Sequence, residues 1–179
     1  MAKSEVTKII VGLGNPGKEY EDTYHNVGQW ALSMLEKERA LSLPGKDTQT
    51  HKGDFILVRP LTYMNDSGKA VREALKKFHA KPEHLVVIHD DSDITVGNYK
   101  ISFARSSAGH KGVQSIIDNL KTNEFTRVRI GIRPAREARR KKAGEFALKK
   151  ITPQDKKTFF EVFKKVSREL IPPNHTSPG

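Results

Sequence analysis

Two short apolar runs, each followed at once by a polar cluster, constrain the fold of this chain more than any other feature. The runs are Lys8–Leu13, which reads KIIVGL, and Leu85–Ile88, which reads LVVI. Their length and their β-branched residues are typical of buried strands. In α/β proteins ligands collect beyond the carboxyl ends of strands, so the residues after both runs are candidates for a functional site.

Strands and helices alternate along the rest of the chain. A hairpin is predicted around a Gly53-Asp54 turn. Asp66 or Ser67 is expected to cap the second helix, and Thr152 is expected to cap the last helix. The predicted strands are 8–13, 48–52, 54–59, 85–88, 99–103 and 126–132, and the predicted helices are 26–39, 112–120 and the stretches after Asp66 and Pro153. This order predicts one α/β sandwich, and the hairpin makes its sheet mixed.

Length and composition indicate one domain, residues 1–179, without a linker or an internal repeat. The chain has no cysteine, which excludes disulfides, thiolate zinc sites, iron–sulfur clusters and cysteine nucleophiles. It has no apolar run near the roughly 20 residues that span a bilayer and no apolar segment typical of a signal peptide before the first strand. A cytoplasmic location is therefore expected.

The positive charge of the chain is concentrated in its last third. The net charge is +11, but residues 1–126 carry 17 Lys and Arg against 16 Asp and Glu, whereas residues 127–179 carry 15 against 5. A polyanionic partner such as a nucleic acid accounts for this, because each cation near a phosphate releases condensed counterions. The alternative is a solvated basic face that aids solubility.

The sequence Gly12–Gly17, GLGNPG, has the glycine spacing of a dinucleotide-binding turn. Such a turn must open a helix whose amides meet the pyrophosphate, yet the residues after Pro16 read as loop, which disfavours this interpretation. The glycines are expected instead to hold a strained strand exit that aims Asn15 into a site. A tight turn with no further role is the alternative.

His25 stands at the start of a predicted helix. The positive field there lowers the pKa of a histidine and favours the neutral imidazole that a general base requires. The plainer interpretation of a single histidine at this position is a cap or a surface residue.

The cluster His89–Asp93, HDDSD, offers acidic groups that either bind Mg²⁺ or orient a histidine. No phosphate-binding loop and no HExxH zinc motif accompanies it. Two further loops open helices, Tyr63–Gly68 and Ser107–Gly112. Tyr63–Gly68 is interpreted either as a helix cap or as a substrate contact. Ser107–Gly112 is interpreted either as an ordinary loop-to-helix junction or as a loop whose backbone amides bind an anion.

Taken together and in this order, these motifs resemble those of the bacterial-type peptidyl-tRNA hydrolases. The resemblance runs from about Lys8 to Leu170, and its blocks are Ile10–Gly28, Pro60–Val71, His89–Asp93, Ser107–Gly112 and Phe125–Ile132. It implies a single three-layer α/β/α sandwich on a mixed, mostly parallel central sheet. It also implies a lid at about 133–150 and a loose tail at 171–179.

The resemblance implies hydrolysis of the ester between a peptide and the 3′-terminal adenosine of tRNA, by a monomer without metal or cofactor. By the same resemblance His25 is the general base, Asp90 holds it and stabilises its protonated form, and Asn15 recognises the peptide. The partner is peptidyl-tRNA, bound at its acceptor stem and CCA end. Contacts to the tRNA are implied for Tyr20, Tyr63, Asn65 and Arg129, with Arg127 extending the phosphate-binding patch and Arg139–Lys142 in the lid.

Two positions depart from the family pattern. Lys111 stands where the family usually has asparagine, so a donor with a positive charge replaces a neutral amide. If its side chain points into the site, it stabilises the oxyanion or holds a phosphate and lowers the pKa of His25; if it points outward, one contact is missing. Ser102 stands where the family often has a phosphate-binding lysine, and Lys100 is the candidate to compensate.

Two alternative functions remain open at this level. One is a non-catalytic RNA-binding protein of the same fold, which Lys111 alone favours. The other is a Mg²⁺-dependent phosphoesterase built on Asp90, Asp91 and Asp93.

Overall fold

The computed structural model describes residues 8–38, 49–52, 55–135, 144 and 146–172, with only the backbone described for 49–52. Within these described ranges, six strands form one sheet in the order β2-β3-β1-β4-β6-β5. β1 pairs in parallel with β3 and β4, and β4 pairs in parallel with β6, whereas β2 and β5 are antiparallel edge strands. The strands are β1 Lys8–Gly12, β2 Gln49–Lys52, β3 Phe55–Val58, β4 Leu85–Thr95, β5 Tyr99–Phe103 and β6 Thr126–Arg133.

Among the residues that the structure describes, four α-helices cover the two faces of this sheet. They are α1 Val27–Glu38, α2 Ser67–Lys77, α3 Lys111–Leu120 and α4 Pro153–Leu170. Alternate residues of the central strands point to opposite faces, so the core has two halves. Ile10 and Ile88 pack with α1 and α4 in one half, while Val11 and Val87 pack with α2 and α3 in the other. The predicted α/β/α sandwich on a mixed, mostly parallel sheet is confirmed.

Close approach explains the glycines at the end of β1. A Cβ atom on Gly12 would lie 2.4 Å from the carbonyl oxygen of Gly28, and one on Gly28 would lie 2.3 Å from that of Ile88. The start of α1 is therefore packed closely against the end of β1 and against β4 at Ile88. Only Gly17 of the predicted strained turn has a positive φ, +107°, so the first two glycines serve packing rather than backbone strain.

Two local predictions were wrong. β4 does not stop at Ile88 but continues through the acidic cluster to Thr95, because Asp90 and Asp91 pair with Ile130 and Gly131 of β6. Asp66 occupies the N-cap position of α2 without a side-chain cap, and a 3-10 turn, Met64–Asp66, precedes the helix instead. Thr152, in contrast, caps α4 as predicted, accepting a hydrogen bond from the amide of Asp155.

In the parts of the chain that the structure describes, no helix is both long enough and apolar enough to cross a membrane. The predicted lid contact at Arg139–Lys142 and most of the predicted tail lie outside the described residues.

Candidate active site

The loop after β1, the middle of β4 and the start of α3 border a cavity of about 710 Å³. Strand order explains the location, because β1 and β4 are adjacent and parallel, and β4 continues past the last residue of β1, Gly12, which pairs with Ile88. Six of the eight predicted site residues line this cavity: Asn15, His25, Tyr63, Asn65, Asp90 and Lys111. Tyr20 and Arg129 do not line it.

Asp90 is the buried centre of the site, with its side chain 4% exposed. The Nδ1 atom of His25 lies 2.9 Å from both carboxylate oxygens of Asp90. His25 belongs to a 3-10 turn, Tyr24–Asn26, just before α1, which places its ring above the middle of β4. An ionised carboxylate can only accept a hydrogen bond, so Nδ1 carries the ring proton and donates the hydrogen bond to Asp90. Nε2 is therefore the basic nitrogen of the neutral ring.

His110 approaches the same carboxylate from α3. Its Nε2 lies 2.8 Å from Oδ1 of Asp90, and its Nδ1 accepts a hydrogen bond of 3.2 Å from the backbone amide of Val113. An amide can only donate, so Nδ1 is unprotonated and the ring proton of neutral His110 is on Nε2, directed at Asp90. The N-cap contact of a helix thus fixes which nitrogen of His110 faces the carboxylate.

Hydrogen bonds from the two histidines, together with the positive charge that each carries when protonated, keep Asp90 ionised. Burial alone raises the pKa of Asp90, but His110 and His25 lower it by charge and hydrogen bonding, and the net pKa is far below the ordinary value. Burial lowers the pKa of His25, the charge and hydrogen bond of Asp90 raise it, and the net pKa is raised. The prediction of a lowered His25 pKa from the helix field was therefore wrong, because the contact with Asp90 dominates.

His89 is a third histidine behind this pair. It is 1% exposed, its ring lies 4.6 Å from that of His110, and its Nδ1 donates to the backbone carbonyl of Asp90 at 2.7 Å. Burial lowers the pKa of His89 well below its ordinary value, so the ring is neutral. Its role in this arrangement is to pack behind His110 and to hold the backbone of Asp90.

Asn15 also lines the cavity and is held in place by hydrogen bonds to its neighbours. Its Oδ1 accepts from the backbone amide of Met64 at 2.7 Å, and its own backbone exchanges two hydrogen bonds with the side chain of Asn26. The Met64 amide can only donate, so the Asn15 atom that it contacts is the oxygen Oδ1. The remaining polar group of the Asn15 side chain is its NH₂. The residue therefore presents donors to the cavity rather than acceptors.

Tyr63 and Asn65 flank Met64 at the rim of the cavity. Tyr63 is 57% exposed, and its ring meets that of Tyr20 edge to face with centroids 6.3 Å apart. Tyr20 is thus joined to the site through Tyr63 although it does not line the cavity. Asn65 is exposed at the same rim.

Lys111 is the first residue of α3 and is exposed at the cavity wall. It forms neither an ion pair nor a side-chain hydrogen bond with any other residue that the structure describes. Its charge is close enough to lower the pKa of His25, against the stronger effect of Asp90. Lys111 thus lines the cavity while it stays exposed.

Two of the arginines of β6, Arg129 and Arg127, differ from the predicted patch. Arg129 is half-buried, and its Nε donates to Oδ2 of Asp91 at 2.7 Å. Arg127 is 3% exposed and donates to the backbone carbonyl of Ser106 at 2.8 Å. The expectation that Arg127 extends a surface patch was wrong, because a side chain on the covered face of β6 is enclosed by the loop before α3.

The acidic residues do not converge as a Mg²⁺ site requires. Among the described residues, the group of three potential ligands whose atoms lie within 4.8 Å of one another is His25, Asp90 and His110. Asp91 is engaged by Arg129 and by the amide of Asp93. A metal at the first group would need the lone pair of His110 Nε2, yet the Val113 amide keeps the proton there, so these residues do not fit a metal.

His110 is the site residue that sequence reasoning missed. The signal was present, because a histidine directly before a predicted helix stands at the N-cap and can place its free nitrogen above a neighbouring strand. The sequence alone gave no reason to pair that nitrogen with Asp90, which lies 20 residues earlier.

Comparison with known proteins agrees with this site. Residues 9–172 match the family model for peptidyl-tRNA hydrolase. A peptidyl-tRNA hydrolase of Aquifex aeolicus is 38% identical, covering 96% of this chain and 92% of that protein. One of Coprothermobacter proteolyticus is 52% identical over 69% of this chain and 67% of that protein.

The fold agrees as well. The crystal structure of peptidyl-tRNA hydrolase from Acinetobacter baumannii is similar with a TM-score of 0.80 at 26% identity, over 95% of this chain and 89% of that one. A family match over nearly the whole chain, combined with a histidine–aspartate pair in the cavity, leads to one conclusion. This chain belongs to the peptidyl-tRNA hydrolase family.

Proposed function

We propose that this protein hydrolyses the ester bond between a peptide, or an N-blocked aminoacyl group, and the 3′-terminal adenosine of tRNA. The observation that carries the proposal is the His25–Asp90 pair at the wall of the cavity. Nδ1 of His25 is tied to a buried, ionised carboxylate, which leaves Nε2 as the basic nitrogen. No described residue occupies that nitrogen.

In the proposed reaction, Nε2 of His25 takes a proton from a water molecule as the water oxygen bonds to the ester carbonyl carbon. Asp90 stabilises the imidazolium that forms. When the tetrahedral intermediate collapses, the bond from carbon to the ribose oxygen breaks and His25 returns the proton to that oxygen. The products are a free carboxyl group on the peptide and a free ribose hydroxyl on the tRNA.

The donors of Asn15 support a role in choosing the substrate. Its Oδ1 is used by Met64, so its NH₂ group is available to a carbonyl oxygen of the peptide. The same group offers no acceptor to the ammonium of a free amino acid. Asn15 thereby favours a blocked or peptidyl ester over an aminoacyl ester.

The exposed rim supports contacts to the tRNA end. Tyr63, braced by Tyr20, offers an aromatic face on which an unpaired base can stack. Asn65 holds the same end by its amide, and Arg129 approaches a phosphate with the guanidinium nitrogens that Asp91 leaves free. Lys111, without a partner among the described residues, contacts an anion of the substrate, either the oxyanion or a phosphate.

We further propose that the protein acts as a single-domain monomer in the cytoplasm and needs no metal or cofactor. The positions of these groups supply a base, its carboxylate support and donors for the peptide. The donor set of His25, Asp90 and His110 is committed to hydrogen bonds rather than to metal binding.

The test is release of a labelled N-acetyl-aminoacyl group from its tRNA in the presence of EDTA, by the wild type and by His25→Ala. Rapid release by the wild type and its loss in the variant would support the proposal. Tight, salt-sensitive tRNA binding without release would show an RNA-binding protein of the same fold. Release that stops with EDTA would show a metal-dependent reaction and contradict the proposal.

A further inference from the structure

The segment Phe146–Thr152 runs beside the residues that lead to His25. The backbone amide of His25 donates to the carbonyl of Ala147 at 2.7 Å, and that of Tyr24 donates to the carbonyl of Lys149 at 3.2 Å. In the other direction, the amide of Ile151 donates to the carbonyl of Asp22 at 2.7 Å. The turn that carries the base is therefore hydrogen-bonded to a segment more than 120 residues away in sequence.

Tyr24 extends this attachment to the start of α4. Its ring is buried, 7% exposed, and meets that of Phe159 edge to face at 6.1 Å. Its hydroxyl donates to Oδ2 of Asp155 at 2.5 Å. Asp155 is itself fixed, because its amide donates to the hydroxyl of Thr152, the N-cap of α4.

These contacts form a closed ring of covalent and hydrogen bonds. From His25 the ring passes to Ala147, along the chain to Thr152 and Asp155, across to the phenol of Tyr24, and back to His25. A short hydrogen bond to a carboxylate is about twice as strong as one between neutral groups, and this one is partly shielded from water. The Tyr24–Asp155 bond is therefore a stiff member of the ring.

The position of His25 that this closed ring of bonds supports tolerates only a small displacement. Nδ1 of His25 is equally distant, 2.9 Å, from the two oxygens of Asp90. A catalytic group must be held within roughly 0.5 Å and 10–20° of its productive position. A small shift of the Tyr24–Asn26 turn would lengthen one of these contacts and turn Nε2 away from the reacting water.

We propose that Tyr24 and Asp155 are positioning residues for the hydrolysis, whose hydrogen bond holds His25 in line with Asp90. The inference deepens the proposed function and rests on His25 being the base. Neither residue lines the cavity, and the hydroxyl of Tyr24 is engaged by Asp155, so neither side chain is placed to contact the ester bond that is cleaved.

The test compares Tyr24→Phe with Tyr99→Phe in the full chain. Tyr99 is a matched control, because its hydroxyl also donates to a carboxylate of α4, that of Glu169, but forms no hydrogen bond with the Tyr24–Asn26 turn among the residues that the structure describes. We expect Tyr24→Phe to lower kcat about tenfold with KM changed less than twofold, since a misplaced base slows the chemical step. Tyr99→Phe is expected to keep the kcat of the wild type.

A second readout does not depend on activity. The groups that face His25 are Asp90, His110 and Lys111, and contact with Asp90 is what raises the pKa of His25. An NMR titration of the His25 ring should therefore give a lower pKa in Tyr24→Phe than in the wild type and an unchanged pKa in Tyr99→Phe. Asp155→Asn should resemble Tyr24→Phe, and it replaces that variant if Tyr24→Phe does not fold.

The outcomes separate this inference from the proposed function. If Tyr24→Phe lowers the melting temperature but leaves kcat and the His25 pKa unchanged, the hydrogen bond is only structural and the inference is wrong. If the wild type releases no peptide, the proposed function fails, while the NMR titration still decides whether Tyr24 positions His25.

Discussion

Two segments bring a histidine to Asp90 from different helices, the turn before α1 and the loop before α3. His25 reaches the carboxylate through Nδ1, whereas His110 reaches it through Nε2. The two rings differ at the nitrogen that does not contact Asp90, which is Nε2 in His25 and Nδ1 in His110. That of His110 is occupied by the amide of Val113, while that of His25 has no partner among the described residues. Two histidines on one carboxylate thus acquire different roles, because only one keeps a basic nitrogen for the substrate.

The largest expected effect comes from removing the free nitrogen. His25→Ala should lower kcat by roughly 10²–10⁴-fold, the usual contribution of a positioned base. Single-turnover hydrolysis of N-acetyl-aminoacyl-tRNA measures it. His79→Asn is the control, because His79 is exposed and its φ of +51° is one that asparagine tolerates. A His25→Ala variant that keeps more than a third of the rate would contradict the assignment.

Neutralising the carboxylate should disturb both histidines at once. Asp90→Asn is expected to lower kcat by about 10²-fold or more, because the imidazolium loses its counter-charge. The pKa of His25 should also fall. Burial lowers this pKa and remains in the variant, whereas the charge of Asp90, which raises it, is gone. The acid limb of the kcat/KM profile should move to lower pH. A limb that stays in place would mean that Asp90 does not set the pKa of the base.

Substitution of His110 should lower kcat less than substitution of His25 or Asp90. His110→Asn keeps a side chain suited to the N-cap of α3 but loses the hydrogen bond to Asp90. We expect kcat to fall about tenfold, which corresponds to about 1.4 kcal/mol and is within the range for a hydrogen bond to a charged group. The melting temperature checks the cap. A loss of activity as large as that of His25→Ala would show that the two histidines are not distinct in role.

The smallest effect concerns the charge next to the base. Lys111→Asn removes a cation that lowers the pKa of His25, so this pKa should rise and the acid limb of kcat/KM should move to higher pH. Lys111→Arg should keep the limb in place because the charge is retained. We expect a change of a few-fold below neutral pH, within what an exposed charge contributes. Identical profiles for all three proteins would place the Lys111 ammonium away from His25.

Local sequence pattern predicted much of this molecule. β1 and β6 form where continuous or alternating apolar residues predicted them, and Thr152 caps α4 as expected. β2 and β3 pair in antiparallel fashion on either side of the predicted Gly53-Asp54 turn, which lies outside the described residues. The motifs also identified Asn15, His25 and Asp90, which line one cavity. These predictions succeeded because strand formation, capping and motif spacing depend on residues close together in the chain.

The errors have a common physical cause. The His25 pKa was predicted from its own helix, but the charge that decides it is on β4. Arg127 alternates like a solvent-facing residue, but the loop before α3 covers it. β4 was expected to end at Ile88, but pairing with β6 extends it. In each case a partner distant in sequence outweighed a local preference.

The sequence by itself determined the order of strands and helices, the family pattern and the residue types of the site. Only the tertiary structure decided how those residues are used: which nitrogen of each histidine faces Asp90, which polar group Asn15 presents, and how Tyr24 is joined to α4. The physical reason is that hydrogen bonds and burial depend on neighbours in space. Apart from Val113, which is three residues from His110, those neighbours are 20 to 131 residues apart in the chain.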